Sequence, residues 1–221
     1  MAPITRLLIA VNIAVFLLQA TGGGLVETSF ALWPPGHGFE IWQLVTYGFL
    51  HGSLAHIFFN MLALYIFGSD IERLFGSSFF LRYYFACVVS AAVCQLVVIN
   101  VTGGSPFSTL GAPGGGYGLV AALVGYYPRR MVMLIFPPIP MQARFFVIFF
   151  GALELVLGVT GTEAGVAHFA HLGGMLGGWL MIQYRRRRFP FSPRRCPAAP
   201  RATQGPARTC SASPRHHLGR R

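Results

Sequence analysis

Residues 110–118 read Leu-Gly-Ala-Pro-Gly-Gly-Gly-Tyr-Gly, and residues 170–174 read Ala-His-Leu-Gly-Gly. Both stretches lie in apolar sequence, where glycines let two helix backbones approach closely because they carry no Cβ. Gly114 and Gly118 are four residues apart and so share one helical face. That spacing alone is typical of helix packing in membranes. His171 adds a second signal, since an ionisable residue inside an apolar span is costly to bury and marks a candidate functional site.

The composition is that of a membrane protein. Hydrophobic residues make up 54% of the 221 residues, charged residues only 10%, and the mean hydropathy is +0.57, which is too apolar for an ordinary soluble domain. The formal net charge of +11 arises in one place: residues 1–184 carry six Arg and six acidic residues, while residues 185–221 carry eleven Arg and no acid. A basic tail is attracted to anionic lipid headgroups, so we predict the lipid bilayer, and not nucleic acid, as its partner.

Six apolar segments predict six transmembrane helices, given that a span needs about 20 mostly apolar residues and fewer within a bundle. The predicted spans cover about residues 4–20, 54–67 with a continuation towards 75, 79–101, 114–127, 145–159 and 165–184. The fold class is therefore an all-α membrane protein, a bundle of six transmembrane helices. Two domains are predicted: the membrane domain of residues 1–184, and an Arg- and Pro-rich tail of residues 185–221 that has almost nothing to bury and should be disordered.

Two connecting segments stand out. Residues 25–52 form a long first loop rich in aromatic residues, which favour the headgroup level, so we predict that part of this loop lies in the membrane interface; an ordinary aromatic-rich connector is the alternative. Residues 129–141 are apolar but contain Pro137, Pro138 and Pro140, which favours an extended connector over a helix.

The arginines predict the orientation in the membrane. Arginines occur before span one and after spans two, four and six, whereas the alternate loops, residues 21–52, 102–113 and 160–164, contain no Arg or Lys. The positive-inside rule then places the N- and C-termini in the cytoplasm. The six-span pattern and the lack of a cleavable signal suit the bacterial inner (plasma) membrane.

Few polar side chains are expected at or near membrane depth. They are His51, His56, Asn60, Glu154, His168 and His171. The histidine and asparagine on span two are four residues apart and the two histidines on span six are three apart, so each pair shares a helical face. Each residue alone is typical of packing or interhelical hydrogen bonding. Two such faces beside a glycine-lined span predict one interior site.

Several motifs, in this order on these spans, resemble the rhomboid family of intramembrane serine proteases, and the resemblance covers about residues 4–184. The matching segments are residues 40–42 in the first loop, 51–60 (the HxxxN motif with its preceding histidine), 70–73 (the acidic–basic end of the second span), 111–114 (where the family has GxSG), Tyr117 and 170–174 (AHxxG). Family members of this kind cleave membrane-spanning proteins with a serine–histidine dyad and need no cofactor.

The resemblance implies a role for each matching residue. His171 would take the proton of the serine, and Tyr117 would orient the ring of His171. His56 and Asn60 would face the oxyanion of the tetrahedral intermediate, with Gly111 of the glycine motif as further support. No metal is implied.

Pro113 stands at the position of the family's nucleophile and is the decisive departure from the motif. Proline has no hydroxyl to attack a carbonyl and no N–H to donate; one lost oxyanion donor costs about 10²–10³-fold in rate, and a lost nucleophile ends this covalent route. Ser105, Ser108 and Thr109 precede the motif on the loop side and out of phase with it. Pro113 suits the first turn of a helix, where its missing N–H is not needed, so the fold can survive the change. Gln43, where the family often has arginine, is a smaller departure.

Three functions remain open. We favour a catalytically silenced rhomboid, a pseudoprotease that binds transmembrane helices of client proteins. The alternative is an active intramembrane serine endopeptidase, a hydrolase of membrane-spanning proteins with helix-breaking residues near the outer face; it requires another hydroxyl, or that Pro113 is a sequence error or an engineered change. The third is metal or haem binding by the four histidines His51, His56, His168 and His171. No HExxH or paired-cysteine spacing supports it, so no metal or cofactor is predicted.

Overall fold

Most of the chain is helical in the computed structural model, which describes residues 1–22, 24–103, 108–111, 113–133, 138–160 and 167–188. The α-helices are α1 (Pro3–Thr21), α2 (Leu25–Phe30), α3 (Gln43–Thr46), α4 (Leu54–Ala63), α5 (Ser69–Phe75), α6 (Ser77–Thr102), α7 (Pro113–Tyr126), α8 (Ala143–Thr160) and α9 (His168–Arg188). A 3₁₀ turn (Tyr47–Phe49) follows α3, and a π-helical turn (Leu64–Gly68) joins α4 to α5 without a break.

Four helical segments of the described residues are long and apolar enough to cross a membrane: α1, the continuous helix Leu54–Phe75, α6 and α8. They correspond to the predicted spans one, two, three and five. Helix α7 has 14 residues, which is about 21 Å against a hydrocarbon core of about 30 Å. Helix α9 has 21 residues but ends in four arginines. The chain is thus a mostly helical membrane protein, and the count of six spans stays a prediction.

Two predicted boundaries are refined. The second span continues through the π-helical turn to Phe75. Within that turn, Gly68 leaves room for α1 to pack closely, since a Cβ on Gly68 would lie 2.9 Å from Cγ2 of Thr5. The last helix is described from His168, residues 161–166 lying outside the described residues, and it continues through the arginines to Arg188. Arginine is a good helix former, so the helix extends past the predicted domain end at residue 184. That domain boundary and the disordered tail remain predictions, because residues 189–221 are outside the described residues.

One short β-ladder departs from the predicted all-α fold. Strand β1 (Met131–Met133) pairs antiparallel with β2 (Pro140–Gln142), and Val132 lies opposite Met141. The prolines exclude a helix here, and Pro140 occupies the first position of its strand, where its missing N–H is tolerated. The described part of residues 129–141 is therefore extended, as their prolines predict.

The first loop folds back onto the segment that precedes α7. Leu32 and Thr109 exchange backbone hydrogen bonds of 3.1 and 2.9 Å, and the N–H of Gly111 donates to the carbonyl of Tyr47 at 3.0 Å. Gly111 has a φ of 109°, a conformation that favours glycine. Gln43 is buried in this loop and its amide makes hydrogen bonds to three backbone groups of the same loop. The loop is thus organised without the arginine that the family often has at this position, and its placement in the membrane interface stays a prediction.

Helix α7 packs against α6 and α9 inside the bundle. Leu119 of α7 is fully buried. Gly114 of α7 abuts Gly174 of α9 so closely that a Cβ on Gly174 would lie 2.5 Å from the carbonyl oxygen of Gly114. Only a residue without a side chain fits at this contact. The contact fixes the first turn of α7, which begins at Pro113, beside α9.

A buried carboxylate, that of Glu72 on α5, holds the N-terminus of α1. Its oxygens accept hydrogen bonds from the backbone N–H groups of Ile4 (3.0 Å) and Thr5 (2.8 Å) and from the hydroxyls of Thr5 (2.8 Å) and Ser77 (2.7 Å). Glu72 is 2% exposed. It satisfies donors that the first turn of a helix leaves unpaired and joins α1, α5 and α6 at one point.

Candidate active site

His171 and Tyr117 lie face to face at the centre of the candidate site. Their rings are stacked, with centroids 4.4 Å apart and planes inclined by 11°. His171 lies in the first turn of α9, and Tyr117 lies one turn after the start of α7. The structure therefore brings together the two residues that the family resemblance assigns as base and ring support.

Pro113 begins α7 next to this stacked pair. Gly174, which abuts Gly114, is one turn after His171 on the same face of α9, so the first turn of α7 meets the second turn of α9. Ala112 and Ser105 lie outside the described residues. Thr109, another hydroxyl considered as a substitute nucleophile, belongs to the backbone pairing with the first loop. The backbone position of the nucleophile is thus one turn before Tyr117, whose ring stacks on the candidate base.

Helix α4 supplies the other two polar residues of the site. Ser53 caps this helix, its hydroxyl accepting from the N–H of His56 at 3.1 Å. His56 is close enough to His171 for their charges to interact. Asn60 faces α7, because a Cβ on Gly116 would lie 4.0 Å from its Oδ1. The Nδ2 of Asn60 is buried and has no hydrogen-bond partner among the described residues, so a donor is available beside α7.

His51 lies behind His56, outside the predicted spans. Their ring centroids are 5.1 Å apart, and His51 is 2% exposed. Burial, and next the neighbouring His56, lowers the pKa of His51 to about 4. Its backbone N–H donates to Oε1 of Gln19 at 2.9 Å, which ties the residue to α1. His51 is therefore a neutral, structural member of the site at neutral pH.

Glu154 of α8 joins the site at its other side. Its Oε1 accepts a hydrogen bond from the hydroxyl of Tyr117. Its Oε2 lies 2.6 Å from Nδ1 of His168, in a hydrogen bond, and 2.7 Å from Nδ1 of His171. This last contact has the distance of an ion pair without the alignment of a hydrogen bond. Side chains from α7, α8 and α9 thus meet at one buried carboxylate.

The sequence alone predicts Glu154 only as a polar residue at membrane depth. The available signal is that a lone carboxylate in an apolar span needs partners. Which partners it finds depends on the packing of α8 against α7 and α9, which residue spacing within α8 does not determine. His168 likewise shares a helical face with His171, but its function as the second imidazole on this carboxylate becomes visible only in three dimensions.

Glu154, His168 and His171 also form a set that could hold a metal ion, since one ligand atom from each lies within 4.8 Å of the others. The distances between these ligand atoms distinguish a metal site from a hydrogen-bonded cluster. Ligands about 2.0–2.1 Å from a tetrahedral zinc ion lie roughly 3.3 Å from one another. The two oxygen–nitrogen distances here, 2.6 and 2.7 Å, are both shorter than that, and the contact of His168 is a hydrogen bond. The geometry therefore favours a network of proton donors on a carboxylate.

A family model for the rhomboid domain matches residues 38–188, which include all of the site residues described above. The chain belongs to the rhomboid family. This confirms the family that the motifs indicate. Rhomboid protease GluP of Bacillus subtilis (strain 168) is 30% identical over 183 residues, covering 79% of this chain and 33% of the relative.

Two further relatives are similar over a larger share of their own length. Rhomboid protease GlpG of Yersinia pestis (strain Pestoides F) is 31% identical over 198 residues, 84% of this chain and 63% of the relative. Rhomboid protease GlpG of Photorhabdus laumondii is 30% identical over 195 residues, 84% of this chain and 62% of the relative. This rhomboid therefore spans about a third to just under two thirds of the curated relatives it matches.

Proposed function

We propose that this rhomboid is a catalytically silenced homologue that binds transmembrane segments of other membrane proteins. The observation that carries the proposal is Pro113 at the first position of α7, beside the stacked pair of His171 and Tyr117. The base and its support are present where a serine nucleophile would be needed, but proline offers no hydroxyl and no N–H. A serine–histidine dyad cannot form with this residue.

The fold tolerates this change for a simple reason. The N–H of the first residue in a helix has no partner within the helix, so a proline at the start of α7 removes no helical hydrogen bond. Its φ is also suited to the first turn. The same position that ends the covalent route therefore leaves the surrounding bundle intact, as a binding protein requires.

Binding of a client helix is supported by the polar groups on α4 and the apolar faces beside them. Asn60 has a buried donor without a partner among the described residues, and such a group can bond the carbonyls of a client backbone that unwinds at membrane depth. Phe58 and Phe59 on the same helix are more than half exposed, so they can contact the apolar part of the same client. Clients with helix-breaking residues near the outer face suit this arrangement.

The proposed setting is the bacterial inner membrane, with six spans and both termini in the cytoplasm. No cofactor and no nucleic acid takes part. The arginine-free loops on one side and the arginines at the ends of α5, α7 and α9 on the other support this orientation.

The second candidate is an active intramembrane serine endopeptidase that cleaves membrane-spanning proteins. The contacts of Glu154 with Tyr117 and His171 favour it, because they hold the candidate base in place. It requires a nucleophile other than residue 113, or a serine at that position in the natural protein.

The proposal is tested by offering the purified full chain, in liposomes, a model transmembrane substrate with a helix-breaking pair near its outer end. A photo-reactive amino acid at position 59 reports binding, and gel mobility reports cleavage. We expect cross-linked, uncleaved substrate, and weaker capture of an all-leucine helix of equal length. Cleaved product would contradict silencing, and equal capture of both helices would contradict a client-binding site.

A further inference from the structure

The carboxylate of Glu154 contacts both members of the stacked pair at once. One oxygen accepts from the hydroxyl of Tyr117, and the other lies 2.7 Å from Nδ1 of His171. We propose that Glu154 is a positioning residue that fixes the tautomer and orientation of His171, so that α8 supplies a third member to the site. This inference rests on the proposed function, in which His171 is the retained base.

The chemistry of the contact determines where the imidazole proton lies. An ionised carboxylate only accepts hydrogen bonds. A lone pair on Nδ1 would lie 2.7 Å from a negatively charged oxygen and be repelled by it, so the favoured tautomer carries its proton on the nitrogen of His171 nearest Glu154. A neutral imidazole has one such proton. Nε2 is then the nitrogen with the free lone pair, which is the form a general base needs.

The second imidazole obeys the same rule. Nδ1 of His168 lies 2.6 Å from the same oxygen and donates to it. This oxygen therefore accepts the hydrogen bond of His168 and also lies beside Nδ1 of His171, while the other oxygen accepts from Tyr117. His168 is buried. It therefore balances the carboxylate without competing for the oxygen that holds Tyr117.

Tyr117 is held at both ends by this arrangement. Its ring stacks on the imidazole of His171 at 4.4 Å, and its hydroxyl is anchored on Glu154. Removing the carboxylate would release the tyrosine and the Nδ1 side of His171 together. A carboxylate that merely tied α7, α8 and α9 together would hold the helices without fixing which imidazole nitrogen is protonated, so the tautomer separates the two roles.

The test is nitrogen NMR of the full chain, with Pro113 in place, labelled with ¹⁵N-histidine in detergent micelles at a pH where the imidazoles are neutral. His171→Gln assigns the signals of His171. We expect His171 to be protonated at Nδ1 in the unmodified chain. Protonation at Nε2 would overturn the inference, and this result needs no variant that could fail to fold.

Two matched variants sharpen the same experiment. Glu154→Met removes the acceptor at similar size, and we expect the two ¹⁵N shifts of His171 to move towards the average of the two tautomers. Glu72→Met makes the same change at a second buried carboxylate, which no imidazole contacts among the described residues, and should leave the His171 signals unchanged. A tautomer that persists in Glu154→Met overturns the inference. Because every spectrum is recorded with Pro113, the outcome is independent of whether a serine at position 113 restores cleavage.

Discussion

Two buried carboxylates in this rhomboid, Glu72 and Glu154, have different kinds of partner. Glu72 accepts hydrogen bonds from backbone N–H groups and hydroxyls at the junction of α1, α5 and α6. Glu154 accepts from a tyrosine and contacts two imidazoles at the junction of α7, α8 and α9. The donors around Glu72 keep their protons throughout the neutral pH range, whereas an imidazole can gain or lose one. The side chains around each carboxylate therefore distinguish the two places: Glu72 has the partners of a structural junction, and Glu154 has those of a chemical site.

The largest expected effect is on stability at the structural junction. Glu72→Met leaves two backbone N–H groups of α1 and two hydroxyls without their acceptor, and buried donors without partners are costly. We expect a loss on the order of 3 kcal/mol, because several such groups are affected at once. Thermal unfolding in detergent, followed by circular dichroism, measures it. An unchanged unfolding temperature would show that the junction is not what holds α1.

The matched change at the chemical site should affect the rate as well as the stability. In the Pro113→Ser background, Glu154→Met is expected to lower kcat on the order of 10²-fold with little change in KM, because the orientation of the base matters only as the reaction proceeds. Cleavage of the model substrate in liposomes measures both constants. An equal loss of kcat in Glu72→Met, at matched amounts of folded protein, would erase the distinction between the two carboxylates.

A change in helix spacing tests whether the site depends on how α7 and α9 meet. Gly174→Ala places a Cβ 2.5 Å from the carbonyl oxygen of Gly114, and such overpacking costs about 1–3 kcal/mol. Gly116→Ala on α7 is the control, since the nearest atom to its Cβ would be at 4.0 Å; alanine there should be neutral or slightly stabilising. Unfolding temperatures of both variants decide, and equal values for the two would contradict the close contact.

The smallest expected effect concerns His51. This residue lies near the site, but it is buried and tied to α1 through a backbone hydrogen bond. Its pKa is about 4 in the fold, below the usual value of about 6.5. As the pH falls, His51 of the unfolded chain therefore binds a proton before His51 of the folded chain does. The contribution of His51 to the free energy of unfolding is complete above about pH 6.5 and declines as the pH falls towards 4. The loss reaches at most about 2 kcal/mol by pH 5.

The pH dependence is isolated by comparing slopes. We expect the unfolding temperature of the unmodified chain to fall between pH 7 and pH 5 more steeply than that of His51→Asn, which cannot take up this proton. Equal slopes would mean that His51 is not held neutral by burial.

Much of this fold could be predicted from the sequence because a membrane leaves few alternatives. Backbone polar groups in lipid must be satisfied within the segment, so apolar runs of sufficient length become helices, as α1, α6 and α8 show. The β-ladder after α7 was not predicted, since prolines exclude a helix without specifying a partner strand. Gln43 was predicted as a departure from the family, but its three backbone hydrogen bonds depend on the fold of the loop.

The candidate site divides in the same way. The pair of His171 and Tyr117 could be predicted because each residue has a fixed position within, or relative to, a motif of the family. Glu154 was not assigned a role, because its partners come from two other helices and its own helix contains no motif. A carboxylate on one helix, a tyrosine on another and two histidines on a third carry no common sequence spacing, so only tertiary packing reveals that they meet.

The central claim is that the site is complete except at one residue. It is tested most directly by cleavage of a model transmembrane substrate by the chain as it stands, by Pro113→Ser, and by Pro113→Ser combined with His171→Ala, all reconstituted in liposomes. We predict that only Pro113→Ser cleaves. Cleavage by the unmodified chain would place the nucleophile elsewhere, and an inactive Pro113→Ser variant that is folded would show that more than one residue silences the site.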